Sequence, residues 1–197
     1  MSYDENSGKA KIEEYASVGS IIREALPFEF VATTAGVVAG IVFAGMKGYI
    51  ELIPGLIVLA PAIAGMRGNI ASSLGSRLGS AIHMGFITKI ENNPELNNNA
   101  LSSIILSVIL SIWLGILGHY MTLALGFESV GVFTLVAIAV FAGVTSGIIL
   151  TIVAIISAIY MFKFGFDPDN MVSPAMSTIG DITAMLMIYV AVRLVML

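Results

Sequence analysis

The sequence predicts an all-α integral membrane protein: five transmembrane helices preceded by a short amphipathic N-terminal helix. Three observations lead there. Only 11% of the 197 residues are charged, where a soluble domain carries about a quarter. The mean hydropathy is +0.96. Five long apolar runs are separated by short polar stretches rich in Pro, Gly and Asn, a pattern of spans and turns. Two regions follow, a tail with an interfacial helix over 1–27 and a five-helix transmembrane domain over 28–197.

Composition also excludes several classes. The net charge of −4 provides no basic surface for nucleic acid. The absence of cysteine rules out disulfides, zinc–thiolate sites and thiol catalysis. Residues 1–16 are polar, with no apolar core followed by a small-residue cleavage site, and are not expected to act as a signal peptide.

Taken in order, 1–11 read as a disordered tail. Residues 11–26 suit an amphipathic helix on the membrane surface, with Ile12, Tyr15, Val18, Ile22 and Leu26 on its lipid-facing side. Pro27 is expected to end it. The first span covers 28–46, where Gly36, Gly40 and Gly45 suit close helix contact. A short connection, 47–51, carries Glu51. The second span, 54–87, would measure about 50 Å as one helix, longer than a hydrocarbon core of about 30 Å. Pro61, Gly65 and Gly68 mark where a kink is expected. The polar stretch 88–99, with Pro94 and its Asn cluster, reads as a solvated turn. The third span covers 101–125, a turn 126–131, and the fourth span 132–162. Residues 163–170 read as another turn, with Asp167 and Asp169 as turn and helix-cap residues. The fifth span is 171–197.

Lys and Arg set the orientation. Lys9, Lys11, Arg23, Lys89 and Lys163 fall on one side of a five-span chain, and Lys47 and Arg193 on the other. The N-terminus is therefore expected in the cytoplasm of a cell-membrane protein and the C-terminus outside.

Two spans carry polar faces. In the second, Asn69, Ser73, Ser76, Arg77 and Ser80 recur at three- and four-residue spacing, one helical face. In the fifth, Ser173, Ser177 and Asp181 are spaced by four, with Thr178 beside them. Asp181 stands about 14 Å into its helix, near the bilayer centre, where a carboxylate is costly and marks a functional site. PAIAGMRGNI (61–70) and PAMSTIGDI (174–182) also echo each other. On the five-span topology they run in opposite directions, and an inverted repeat would bring Asn69 and Asp181 to one depth.

PGLIVLAPAIAGMRGNIASSLGSRL resembles the second transmembrane helix of the MgtE magnesium channel and transporter family, with its Pro-rich start and Gly-Asn motif. FDPDNMVSPAMSTIGDITAM is similar to that family's Asp-Pro turn, Pro and Thr-x-x-Asp, here Asp167-Pro168, Pro174 and Thr178 to Asp181. The Arg-Gly-Asn form lies closer to the archaeal and eukaryotic relatives than to the bacterial Gly-Gly-Asn form. The resemblance covers about 20–197. It implies a membrane-embedded homodimer, or a heterodimer with a paralogue, passing Mg²⁺ through a pore lined by helices two and five. The matching residue for the cation ligand is Asp181, and Asn69 lies nearby. Bacterial members carry long cytoplasmic sensor domains; the short N-terminal segment here puts that gating in doubt.

The chemistry of the residues fits that implication. Mg²⁺ keeps most of its water and is held by one or two carboxylates. A two-fold axis brings two Asp181 side chains together, and their repulsion is relieved by a divalent ion. Ser177, Thr178 and Asn69 can meet the ion's water shell, and Glu51 can recruit cations at the outer end. Mg²⁺ is thus expected as the transported ion, with Asp181, Asn69, Thr178, Ser177 and Glu51 as its contacts.

Three of these residues also have a structural reading, Glu51 as an ordinary solvated boundary residue. Asp181 can pair with Arg67 or Arg77. Asn69 can bond backbone freed by Gly65 and Gly68. Arg67 and Arg77 read as loop anchors, lipid-phosphate contacts or partners of acids. His83 and His119 are isolated, Glu29 is interfacial, and the eleven Met residues are scattered packing. An enzyme is not expected: an intramembrane aspartyl protease needs a second deep acid, and Ser146 with His119 has no supporting motif. An ion-coupled (H⁺ or Na⁺) carrier of divalent cations and a non-transporting scaffold or assembly subunit remain as alternatives.

Overall fold

A computed structural model describes residues 17–87, 93–163 and 168–196. Its elements are helices α1 (Val18–Gly45), α2 (Lys47–Leu52), α3 (Leu56–His83), α4 (Pro94–Ala124), α5 (Val132–Lys163) and α6 (Pro168–Val195). Among the described residues there is no strand. Helices α3, α4, α5 and α6 are long and apolar enough to cross a membrane, and the apolar part of α1, Glu29–Gly45, is shorter. The chain is an all-α, multi-pass membrane bundle.

Several boundaries move from their expected places, each for a local reason. Pro27 does not end a helix; α1 runs through it. Proline removes one backbone donor, and a helix in a membrane bundle tolerates that loss where the rest of its ladder is intact. The face expected at Ile12 and Tyr15 lies outside the described residues. Helix α3 is likewise unbroken through Pro61, Gly65 and Gly68. Its length is trimmed at both ends instead. Residues 53–55 form a turn before it, and Gly85, at φ 76°, turns the chain just after it. The expected solvated turn at 88–99 is shorter than read, because α4 already starts at Pro94. Asn93 caps it, its Oδ1 accepting from the backbone N–H groups of Glu95 (3.0 Å) and Leu96 (3.2 Å), with Pro94 at the first helical position, where its missing N–H costs nothing. The connection at 47–51 is itself the one-turn helix α2. Asp167 lies outside the described residues, and Asp169 is in the first turn of α6.

Helix α3 packs against α4, α5 and α6, most extensively against α6, and α5 packs in turn against both α4 and α6. Helix α6 also carries α1. The early turns of α3 (Leu56, Leu59, Ile63) share an apolar cluster with the late turns of α6 (Ile188, Ala191, Val192) and with Leu135 and Ile138 of α5. The late turns of α3 (Leu74, Leu78) share a second cluster with Met176 of α6 and with Leu150 and Ala154 of α5. Helices α3 and α6 are therefore antiparallel. Tyr49 of α2 meets Tyr189 of α6 edge to face, ring centres 5.9 Å apart, and Arg193 lies over the Tyr189 ring. Lys47 and Arg193, expected on one side of the membrane, are at one end of the bundle.

The gap between the two apolar clusters positions the site. On α3 the first cluster stops at Met66 and the second begins at Ala71. On α5 the corresponding limits are Ala142 and Leu150, and on α6 they are Ala184 and Met176. Between them lies a layer of polar and small residues: Arg67, Gly68 and Asn69; Gly143, Ser146 and Gly147; Ser177, Thr178, Gly180 and Asp181.

Candidate ion site at the crossing of α3 and α6

Glycine brings the two antiparallel helices together. A Cβ built on Gly180 would lie 3.3 Å from the backbone N of Gly68 and 3.4 Å from its Cα. A Cβ on Gly68 would lie 3.2 Å from Ser177 Oγ. Small side chains suit so close a crossing, and a methyl group at either glycine would press on the facing helix. The residue after each glycine is the polar one, Asn69 on α3 and Asp181 on α6. Each sits at the midpoint of a 28-residue helix. The short sequence echo between 61–70 and 174–182 thus corresponds to the turns that meet.

The polar residues of this crossing face outward from the single chain. Asn69, Ser73, Ser76 and Arg77 of α3 are exposed and Ser80 is half-buried, whereas Leu74, Leu78 and Ile82 are buried. On α6, Ser177 is exposed, and Thr178 and Asp181 are half-buried. Thr178 Oγ1 donates to the carbonyl of Ala32 on α1, at 3.3 Å, which ties α1 to the site. Four of the five predicted contacts (Asn69, Ser177, Thr178, Asp181) are therefore gathered at one level. Glu51 is not among them; it is exposed on α2, at the Tyr49–Tyr189 end of the bundle.

Within one chain these groups do not make a metal cage. Among the described residues, no three His, Cys, Asp or Glu side chains gather at one point. What the chain offers is one carboxylate with neutral hydroxyl and amide groups around it, a donor set for a hydrated hard cation rather than a dehydrated one.

The structural alternatives separate here. Arg67 is neither a loop anchor nor a lipid contact: it is 1% exposed. Its Nη1 donates to Ser107 Oγ on α4 at 2.6 Å, and its Nε and Nη2 have no partner. It is thus not the ion-pair partner of Asp181. The guanidinium points away from α6 because Gly147 on α5 leaves room for it: a Cβ there would collide with Nη1 and with Ser107 Oγ. Asn69 has no freed backbone to serve, since α3 is unbroken around it. His119 Nδ1 is 2.7 Å from Ser129 Oγ and stacks edge to face on Tyr120, a contact that pins the α4–α5 turn. Ser146 donates instead to the carbonyl of Ala142, at 2.5 Å. The two do not form a catalytic pair.

Sequence reading passed over one face altogether. On α4, Asn99, Ser103, Ser107, Ser111, Gly115, Gly118 and Thr122 are buried, while Leu101, Ile105, Ile109, Ile112 and Trp113 are exposed. The helix is polar and small inside, large and apolar outside, as expected where lipid replaces water. The signal was the four-residue spacing from Asn99 to Ser111; reading 88–99 as loop cut it short.

Comparison with known proteins converges on the same segment. The MgtE family, described as divalent cation transporter, matches residues 60–191. Solute carrier family 41 member 2 of Xenopus laevis is 27% identical over 190 residues, covering 89% of this chain and 32% of that protein. The Homo sapiens member 2 is 29% identical over 135 residues, 64% of this chain and 22% of that protein. Member 3 of Rattus norvegicus is 26% identical over 135 residues, 64% and 28% respectively. The chain spans about a third or less of the length of these relatives. No solved structure matches. The match begins just before the Arg-Gly-Asn turn of α3, ends beyond Asp181 on α6, and takes in well over half of the sequence: the chain belongs to the MgtE family of divalent cation transporters.

Proposed function

We propose that this chain passes Mg²⁺ across the cell membrane as half of a dimeric pore lined by α3 and α6, with the hydrated ion held at Asp181. The observation that carries this reading is the polar face exposed at mid-depth. Asn69, Ser73, Ser76 and Ser177 are exposed in the single chain at the level where lipid would otherwise meet them. Such a face belongs against protein or water. A second copy related by a two-fold axis supplies both, and brings two Asp181 carboxylates to one axis. Two like charges in low dielectric repel, and a divalent ion relieves that repulsion better than a monovalent one.

Mg²⁺ enters this site with its water. Asp181 accepts from those waters, as do Ser177, the Thr178 oxygen and the Asn69 carbonyl oxygen, so the ion is recognised through its shell. Glu51, exposed at the opposite end of α3 from the 88–92 connection, raises the local cation concentration at the outer mouth. On this reading the modest Lys and Arg bias favours a cytoplasmic N-terminus and an external C-terminus.

Proteoliposomes loaded with a Mg²⁺ indicator test the reading. Wild type is expected to admit Mg²⁺ under a membrane potential, and Asp181→Ala and Asp181→Asn to lose it while inserting and melting as wild type does. Equal flux through Asp181→Ala refutes the assignment of the ligand. Absence of flux in wild type favours a scaffold, and flux that requires a proton or Na⁺ gradient favours a carrier. Competition by Mn²⁺, Co²⁺ and Ca²⁺ sets the selectivity.

A further inference from the structure

The least comfortable group in the bundle is Arg67. Its guanidinium is sealed between α3, α4 and α5, with one bond to Ser107 and two nitrogens, Nε and Nη2, that have no acceptor. Ser111 Oγ, one turn further along α4, is buried without a partner too, and it occupies the space a side chain on Gly143 would need. A charge shut away from water and from any carboxylate is the most expensive kind of buried polar group. Replacing such a buried charge by an apolar residue of similar volume is often neutral or stabilising.

A line of polar groups continues from Arg67 along α4. Ser107 Oγ, which accepts from Arg67, donates to the Ser103 carbonyl at 2.6 Å. Ser103 Oγ donates to the Asn99 carbonyl at 3.0 Å. Asn99 Nδ2 donates to the backbone carbonyl of Glu95 (2.9 Å) and to its carboxylate (3.0 Å). Glu95 is exposed in the first turn of α4. One buried line of polar groups therefore runs from the surface to the guanidinium. Its other wall, on α5, is glycine at both places where Arg67 and Ser111 press against it, Gly147 and Gly143.

We propose that the bundle has a second conformation, in which α5 withdraws from α3 and α4 and water enters along Glu95, Asn99, Ser103 and Ser107 to solvate Arg67. The closed seam described above is one end of that equilibrium. The buried charge is the device that keeps the two ends close in free energy: it penalises the closed state and is relieved in the open one. The glycine wall lets the seam close at all. This opening is a property of the α3–α4–α5 seam and stands whether or not Mg²⁺ crosses at Asp181.

The cysteine-free chain makes the test direct. Single variants Ser107→Cys, Ala184→Cys and Glu128→Cys are reconstituted in liposomes and treated with iodoacetamide, which is small, neutral and water-soluble. Ser107 is 1% exposed and Ala184 is 0% exposed in the apolar cluster, while Glu128 is exposed in a turn. Ser107→Cys is expected to react at least about tenfold faster than Ala184→Cys, a ratio equivalent to about 1.4 kcal/mol between the two opening reactions. Adding Arg67→Met is expected to slow Ser107→Cys by about tenfold and to raise the melting midpoint, because the closed seam no longer holds a charge. Gly147→Ala, which crowds the guanidinium out of its place, is expected to speed the reaction instead. The proposal is overturned if Ser107→Cys reacts no faster than Ala184→Cys while Glu128→Cys reacts readily. It is equally overturned if neither Arg67→Met nor Gly147→Ala changes the Ser107→Cys rate.

Discussion

Adding one methyl group to a glycine should change stability in opposite directions at Gly115 and at Gly40. Both are helical. A Cβ on Gly40 meets nothing within 4 Å, so Gly40→Ala collects only the helix-propensity gain, about 0.8–1 kcal/mol. A Cβ on Gly115 would lie 2.5 Å from the Cα of Val136 and 2.9 Å from its N. Both obstacles are backbone, so no rotamer change relieves the contact. Helices α4 and α5 must part by about 1 Å, and overpacking of that kind costs about 1–3 kcal/mol. The upper end applies because a rigid helix has to move, and the parting also forfeits a quarter to a half of the local dispersion contacts. After the propensity gain is subtracted, Gly115→Ala is expected to be destabilised by about 2 kcal/mol. Reversible unfolding in mixed micelles, titrated with a denaturing detergent, measures both. The reasoning fails if Gly115→Ala lies within about 0.5 kcal/mol of wild type, the ordinary range for a neutral surface change, or shifts with the same sign as Gly40→Ala.

Other expectations follow from the same contacts. Asn93→Ala removes the acceptor for the Glu95 and Leu96 N–H groups and should cost about 1 kcal/mol, whereas Asn93→Gly should cost only a few tenths; the same unfolding titration separates them. Cysteines at Asn69 and Ser73 should react with a membrane-impermeant thiol reagent, while cysteines at Ile105 and Ile109, also exposed in the single chain, should not, because the first pair faces water and the second faces lipid; equal labelling of both pairs refutes the pore-facing assignment. Leu74→Ala empties a site that is 1% exposed between α3, α5 and α6 and should lower stability by about 2–5 kcal/mol, which thermal melting reads.

The architecture was legible because a bilayer imposes it. Every backbone group in hydrocarbon must be satisfied within its own helix, so low charge and long apolar runs leave an all-α bundle as the outcome, whatever the detailed packing. Asp181 and Asn69 were legible for a related reason: a polar group at mid-span is expensive enough to stand out from any apolar background. Glu51 was legible only as an acid near a span end, and its place on α2 keeps it apart from the other four. Local punctuation was less reliable. Pro27 read as a helix end and Pro61 as the place of a kink, and both are carried inside continuous helices, since a single missing donor is tolerated when the flanking turns are held. Pro94 read as part of a loop and is the first residue of a helix, because Asn93 caps it.

What the sequence determined alone was the solvent, the helical kind of the elements, and which polar residue types fall in mid-span. Tertiary structure decided which of them meet. That Gly68 and Gly180 touch, and so set Asn69 and Asp181 at one level, depends on the angle and register of two helices more than a hundred residues apart. That Arg67 turns inward to Ser107, leaving Asp181 to other partners, depends on the absence of a side chain at Gly147 on a third helix. A residue's type can be read from its letter. Its direction is set by the space its neighbours leave, and in a bundle those neighbours come from distant parts of the chain.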